Sequence, residues 1–432
     1  MAPVLASPIE GGLDADSGWR SGQDGPAPTA RHQGPMLSLS MIVRDEAARL
    51  EACLASVTGF VDEMVLLDTG SRDATVAIAE RCGAVVHTMA WPGDFAPARN
   101  QALQHVQGDW VLVLDADEQL QEAAKAPLRE LMAQPDVLVI NLLRQELGAA
   151  QSPYSSVSRL FRRHPAIHWS RPYHSMVDDS VVALLAEEPE WRIVDCPVPA
   201  LLHDGYRPEL LAAGNKAARL RAAMEADLAA RPGDPYACAK LGSLEVSEGN
   251  QQRGQELLEL GLAHCAPDAH PERYELLLHL AMARSGEDPA QAAELYQAAM
   301  QLPLPPRLTL AAQLNLAALL VEAGHSDAAA QLCQQATGAA PEVALGWYNL
   351  GIAERQRGQI GAAITAYRQA LAIDPNYAAA QQNLAVALLL AGDIEGARQG
   401  FRQAIHLLED QGAAAAAEAL RQQASTMVKL ED

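Results

Sequence analysis

Two carboxylates one residue apart, Asp115 and Asp117, stand at the end of the apolar run Val111-Leu112-Val113-Leu114, with Glu118 directly after them. Four consecutive branched apolar residues predict a fully buried strand of the kind found in parallel sheets. The carboxyl end of such a strand is where open α/β sheets place their ligands. Carboxylates there suit a hard cation that in turn holds phosphate oxygens. The same residues equally suit an acidic strand-to-helix turn in which Asp117 or Glu118 starts the next helix. Spacing alone leaves both readings open.

The elements around this turn are those of a parallel sheet. Leu37–Val43, Met64–Leu67, Ala84–His87, Trp110–Leu114 and Val137–Leu142 are apolar and β-compatible. Between them, helical patterns run from Asp45 to Val57, Arg72 to Cys82, Phe95 to Val106 and Glu122 to Met132. This βαβα rhythm with short connections predicts an α/β fold. From Ser152 to Val198 the pattern loosens into His, Arg, Pro and Trp residues, and irregular, site-building structure is expected.

The second half follows a different rule. At a period of 34 residues, Trp347, Leu350, Gly351, Gly358, Ala363, Tyr367, Ala370 and Pro375 are echoed by Leu384, Ala385, Gly392, Ala397, Phe401 and Ala404. One period earlier stand Leu316, Ala317, Gly324, Ala329, Cys333, Ala336 and Pro341. This is the tetratricopeptide pattern of paired helices, in which small residues permit close approach and large ones fill the gaps. Two further units extend it towards Leu241, so about five repeats over 233–408 are expected, with a cap helix in 409–432. A linker helix is expected in 211–232, the α/β domain in 36–210 and a disordered lead-in over 1–35, which lacks a signal-peptide pattern.

Composition narrows the function. The formal charge is −22, with 20 basic against 31 acidic groups in residues 1–232 and 12 against 23 in the rest. Neither half has the positive excess that nucleic-acid binding demands, so no nucleic-acid partner is expected. A phosphate-bearing ligand would need a local cation or arginines. No apolar run reaches the ~20 residues of a transmembrane span. The six cysteines show no CxxC or ladder spacing, which suits reduced thiols, a cytoplasmic location and no structural zinc. A peripheral position at the inner face of a membrane is compatible with the same features.

Four motifs occur in order: Ser40-Met41-Ile42-Val43-Arg44-Asp45-Glu46, then Asp68-Thr69-Gly70-Ser71-Arg72-Asp73, Ala98-Arg99-Asn100 and Asp115-Ala116-Asp117. Over residues 37–205 the chain resembles family 2 glycosyltransferases of the GT-A fold, which are inverting and use nucleotide sugars. Arg159-Leu160-Phe161-Arg162, Ile167-His168-Trp169, His174 and Leu202-His203-Asp204-Gly205-Tyr206 are similar to a subgroup with appended tetratricopeptide repeats. That subgroup includes peptide S-glycosyltransferases and relatives of lipopolysaccharide-core glucosyltransferases. The expected architecture is a Rossmann-like, mostly parallel GT-A domain followed by an all-α repeat solenoid.

The resemblance implies roles. Asp68 would accept from the uracil or ribose of a UDP-sugar, although an Asx turn is the alternative. Asp115 would contact the ribose and metal-bound water, and Asp117 would ligate Mn²⁺ or Mg²⁺. His203 is the expected further metal or phosphate ligand, with His174 in reserve. Arg99 suits phosphate or the steadying of Asp115. Arg159, with Arg162 and Arg163, forms a local basic cluster suited to a diphosphate. Relatives often carry a Glu after the position of His174, placed to deprotonate the acceptor. Here Ser175 stands there, and Asp178 or Asp179 is the substitute base. Gln119 stands where haloacid-dehalogenase-like phosphatases need Thr or Val. The segment Val43–Glu46 replaces the Gly-rich loop of nucleotidyltransferases, so both classes are disfavoured.

Asn315, Asn349 and Asn383 recur at the 34-residue period on first helices of the repeats. Identical amides in a row can pair with an extended peptide backbone, so a peptide or protein acceptor recruited by the repeats is expected. The alternative is a degenerate glycosyltransferase fold serving as a scaffold for protein interaction.

Overall fold

Branched apolar runs form the strands of the first half and alternate with short helices. The structure, a computed structural model, describes residues 34–148, 152–172, 175–204 and 216–430. The lead-in over 1–33 and His174 lie outside the described residues. The strands are β1 (Leu37–Val43), β2 (Glu63–Asp68), β3 (Val85–Thr88), β4 (Trp110–Val113), β5 (Glu118–Leu120), β6 (Val137–Glu146), β7 (Tyr154–Arg162) and β8 (Arg192–His203). Helices α1 (Leu50–Val57), α2 (Thr75–Arg81), α3 (Phe95–Leu103), α4 (Glu122–Met132) and α5 (Asp178–Glu187) lie between them.

The eight strands form one sheet in the order β3-β2-β1-β4-β7-β6-β8-β5. The strands β1 to β4 pair parallel, and β6 pairs parallel with β8. The strand β7 is antiparallel to both β4 and β6, and β5 is antiparallel to β8. The sheet is therefore mixed, with four parallel pairings and three antiparallel ones. The stretch expected to be irregular contains two of the longest strands, β7 and β8. Their Ser, Arg and Pro content hid the alternation: Ser155 and Arg159 of β7 and His203 of β8 turn into a charged cluster, while Arg192 and Asp195 of β8 are exposed.

Parallel register aligns the strand ends that matter. Val43 sits beside Asp68, and Ser40 beside Val113, so the carboxyl ends of β1, β2 and β4 share one rim. All four residues of β4 are buried, as are Leu39 of β1 and Leu160 of β7 beside it.

From Lys216 the chain is helical. The helix α6 (Lys216–Ala230) precedes five helix pairs among the described residues: α7 (Pro235–Ser247) with α8 (Gln251–His264), α9 (His270–Arg284) with α10 (Pro289–Met300), α11 (Leu310–Glu322) with α12 (Ser326–Ala339), α13 (Ala344–Gln356) with α14 (Ile360–Ile373), and α15 (Ala378–Leu390) with α16 (Ile394–Asp410). The final helix, α17 (Ala414–Ser425), caps the stack with Leu420 and Ala424 packed on α16. The small–large pairing is literal: a Cβ at Gly351 would fall 2.4 Å from the fully buried Tyr367 ring. No described helix is long and apolar enough to cross a membrane.

Candidate active site

Leu114 ends the buried run, and the chain turns through Asp115, Ala116 and Asp117 before β5 begins at Glu118. Glu118 is fully buried and starts a strand, not a helix. Its Oε2 accepts from the Asp115 backbone N–H at 2.9 Å, which closes the turn. The acidic cluster is thus held from within, and the helix-start reading of Glu118 gives way to a supporting one.

Each oxygen of Asp115 meets an arginine. Arg99 Nη2 lies 2.7 Å from Oδ1 and Arg159 Nη2 lies 2.8 Å from Oδ2. Burial would raise the Asp115 carboxyl, but Arg159 and Arg99 more than offset it and hold it well below the usual carboxylate range. Arg99 projects from α3, whose first turn is capped by Asp94 accepting from Ala96 N–H at 2.8 Å. Its guanidinium stacks over Trp169, 4.6 Å from the ring centroid. Asn100, its neighbour, brackets the Trp169 backbone with bonds of 2.7 and 2.9 Å. The Ala-Arg-Asn segment therefore aims Arg99 and pins the strip that carries Trp169.

Asp117 faces a second group. Its Oδ2 lies 3.4 Å from Arg49 Nη1 and 3.6 Å from His203 Nε2. Arg49 also donates to Glu46 at 2.8 Å. Burial alone would lower the His203 imidazole, but the carboxylates of Asp117 and Glu146 hold it up at about 9. Burial opposes ionisation of Asp117 too, and the bond to His203 still brings its carboxyl below the ordinary value.

Behind these stand residues that sequence reasoning missed. Arg144 donates to Glu118 Oε1 at 2.7 Å and to Glu146 Oε1 at 2.8 Å, while Arg159 Nη1 reaches Glu118 Oε2 at 2.9 Å. The available signal was Leu142-Leu143-Arg144-Gln145-Glu146, where two charges at i and i+2 on an apolar strand share one face. In all, the connected cluster holds five carboxylates, four guanidiniums and His203. It carries no positive surplus to meet a diphosphate.

The other expected residues fall as follows. Asp68 is buried at the end of β2, and its carboxylate accepts from Gly70 N–H at 3.0 Å and Ser71 N–H at 3.1 Å. It makes the Asx turn on the same rim as the Asp115 turn, with β1 lying between β2 and β4. Asp73 caps α2 through Thr75 N–H at 2.9 Å. Arg162 and Arg163 do not join Arg159. Arg162 donates at 2.6 Å to the carbonyls of Val137 and Gln134 and stacks on Trp110, and Arg163 binds the Gly108 carbonyl at 2.8 Å. The expected basic cluster is therefore split between the site and backbone carbonyls.

The two substitute bases are held by partners of their own. Asp179 is bound by Ser170 at 2.5 Å and by Arg171 at 3.0 Å, and Arg171 also holds Asp234 at 2.8 Å. Asp178 accepts from Ser158 at 2.7 Å, on the face of β7 opposite Arg159, and burial raises its carboxyl. Neither joins the Asp115–Asp117 cluster; both help tie α5 to its surroundings. Two of the asparagines are held likewise. Asn349 is buried and donates to the Leu314 carbonyl at 3.4 Å, Asn383 donates to Ala379 at 3.0 Å, and the Asn315 amide nitrogen is buried. The Asn349 donor bonds to the neighbouring helix α11, while the Asn383 donor bonds within its own helix and reaches Tyr348 Oη at 3.3 Å.

Among the described residues, no group of three or more His, Cys, Asp or Glu side chains converges as a metal site. Asp117 and His203 nevertheless offer one carboxylate oxygen and one imidazole nitrogen towards a common point. Two protein ligands are an adequate share for a cation whose remaining positions go to phosphate oxygens and water. A cavity of about 310 Å³ lies elsewhere, between the sheet and the repeats, lined by Asn141, Asp195, Pro306 and Arg307 among others.

Comparison with known proteins agrees with this geometry. The model for glycosyl transferase family 2 matches residues 38–181, and a TPR repeat model matches residues 351–392. A TPR repeat-containing protein of Synechococcus elongatus is 46% identical over 306 residues, covering 71% of this chain and 76% of the relative. An uncharacterized glycosyltransferase of Rickettsia bellii is 30% identical over 155 residues, 34% of this chain and 52% of its own length. The SPbeta prophage-derived glycosyltransferase SunS of Bacillus subtilis is 26% identical over 182 residues, 40% of each chain.

Proposed function

Because the chain belongs to the family 2 glycosyltransferases that carry tetratricopeptide repeats, we propose that it moves a sugar from a UDP-sugar, with inversion, to a peptide or protein acceptor recruited by the repeats, and that it needs Mn²⁺ or Mg²⁺. The observation that carries the metal requirement is the charge of the cluster. With the guanidiniums of the described cluster matched by carboxylates, an added cation would supply the positive charge that a diphosphate calls for.

Asp117 and His203 would hold that ion. When bound, it neutralises the charge that develops on the diphosphate as the glycosidic bond breaks. Asp115, clamped by Arg99 and Arg159, presents fixed oxygens to the ribose. Asp68, on the same rim one strand further along, would contact the nucleotide. Trp169 lends the site an apolar wall and keeps Arg99 in place. The acceptor atom attacks the anomeric carbon opposite the departing diphosphate, one bond to carbon forming as the other breaks. The acceptor's proton must leave as that bond forms, so the step balances without a protein base when the acceptor arrives already ionised, as a thiolate does.

Purified protein is expected to release UDP from a UDP-sugar in the presence of Mn²⁺, and Asp117→Ala to abolish that turnover while leaving the circular dichroism spectrum intact. Inactivity towards UDP-, GDP- and TDP-sugars, with no nucleotide-induced thermal shift, would overturn the donor reading. Metal-independent turnover, or an Asp117→Ala variant as active as the parent, would overturn the metal reading.

A further inference from the structure

Two buried carboxylates of the cluster, Glu118 and Glu146, touch no reacting atom, and Glu146 has a contact that charge pairing does not explain. Glu146 closes β6 and is 6% exposed. Its two oxygens are committed in different directions. Oε1 accepts from Arg144 Nε at 2.8 Å and from Ser155 Oγ. Oε2 turns away from both and meets His203 Nδ1 at 2.5 Å. Neutralising Arg144 does not explain that second contact, since Arg144 Nη1 already reaches Glu118 at 2.7 Å.

The backbone makes the contact a fixed one. Register places His203 on β8 between Glu146 on β6 and Glu118 on β5. Leu147 N–H donates to the His203 carbonyl and Glu146 N–H to the Pro153 carbonyl, both at 2.9 Å, so both strand ends are pinned. With Nδ1 held on Glu146, the other ring nitrogen faces Asp117 Oδ2 at 3.6 Å. With Nδ1–H donated to Glu146, the proton that a cation displaces is the one on Nε2, and a carboxylate behind a ligating imidazole fixes its orientation and strengthens it as a ligand.

We infer that Glu146 is a positioning residue: by taking the Nδ1–H of His203, it presents Nε2 beside Asp117 as the second protein ligand for a divalent cation. The inference rests on the metal reading of the site proposed above. It also states what the amide should do. Arg144 and Ser155 both donate to the Oε1 side, so a glutamine at 146 turns its carbonyl there and its NH₂ towards His203. The imidazole must then accept at Nδ1, and its proton moves to Nε2, the nitrogen that should face the cation.

The test uses the full chain with histidine ¹⁵N-labelled. In the metal-free parent, His203 is expected to show a slowly exchanging, far-downfield Nδ1 proton, and Glu146→Gln to lose it. With Mg²⁺ and UDP, the parent's ring should carry its proton on Nδ1 and the variant's on Nε2. Electron paramagnetic resonance of free Mn²⁺ in the presence of UDP should show affinity falling about 10- to 100-fold in Glu146→Gln. In a His203→Ala background, Glu146→Gln should add no further loss, because a residue that acts through His203 has nothing left to act on. Circular dichroism of each variant checks the fold, and Glu146→Ala, which removes the acceptor outright, should weaken Mn²⁺ as the amide does.

A parent lacking the protected Nδ1 proton overturns the contact. A normal Mn²⁺ affinity in Glu146→Gln, or an equal loss in the His203→Ala background, overturns the positioning role while leaving the metal site standing. If the parent binds no Mn²⁺ with UDP although the Nδ1 proton is present, the metal reading fails, and the ligand-positioning role falls with it.

Discussion

At the scale of single residues, the site is governed by matched buried charge. Glu118 has no exposed side-chain surface and is shared by Arg144, Arg159 and the Asp115 N–H. Removing one member of such a set leaves the others desolvated and underpaired, which costs more than the pair contributed. Glu118→Gln is therefore expected to lower stability by about 3 kcal/mol, read as a shift in the urea midpoint, although the residue touches no reacting atom. A shift within error would mean that Arg144 and Arg159 are satisfied by Glu146 and Asp115 alone. The Asp115–Asp117 pair, Asp68, Arg99, Arg159 and His203 could be named from the sequence because each stands in a short motif or at a strand end. Arg144 and Glu146 could not, because a strand reading stopped at Leu142 and their partners lie on other strands. Asp178 and Asp179, in the first turn of α5, are bound by Ser158 and by Ser170 and Arg171, partners that adjacency in the sequence does not reveal.

At the scale of elements, the repeats were the most legible part of the chain, since each helix pair obeys a local rule that recurs. Gly351 packs its helix against Tyr367, and an added methyl would meet the ring at 2.4 Å, whereas Ala385 holds the equivalent place opposite Phe401. Gly351→Ala is accordingly expected to cost about 1–3 kcal/mol by overpacking, although alanine favours the helix itself. A stabilised variant in urea unfolding would show that the pair can spread freely. A titrating group sits nearby in the stack. Burial pushes the His279 imidazole on α9 down to about 4, with Glu275 opposing and Lys240 assisting. Below its unfolded value of 6.5, the unfolded chain takes up a proton that the folded chain refuses. Stability should therefore fall as pH drops from 6.5 towards 4, by on the order of 2 kcal/mol between pH 7 and pH 5. His279→Gln should flatten that slope in paired urea titrations; an unchanged slope would place the proton elsewhere. The sheet was less legible than the solenoid because β7 and β8 alternate between site-building and docking side chains, and neither face reads as plainly apolar.

At the scale of the whole molecule, the β6–β7 hairpin joins the two halves. One face carries Arg144, Glu146 and Arg159 into the charge cluster. The alternate residues Leu143 and Tyr154 turn the other way and pack with Leu310, Leu314, Ala336 and Ala340 of α11 and its neighbourhood. Tyr154 also accepts from Arg307 at 2.6 Å and donates to Glu342, while Arg307 and Glu342 pair with each other. The period of two in a strand makes this division inevitable: residues one apart serve opposite sides. The repeats thus brace the strands that aim Arg144 and Arg159, and their docking cannot be undone without loosening the site's supports. Leu143→Ala removes buried apolar contact at the junction and should cost about 2 kcal/mol. Its more telling effect is expected in amide exchange, with faster exchange along β6 and β7 as well as at the start of α11, while β1 and β2 stay as protected as before. Faster exchange confined to α11 would mean that the repeats can part from the sheet without disturbing the hairpin. In that case the arginines are held by the sheet alone, and acceptor recruitment is joined to the transfer site by tethering rather than by a shared strand pair.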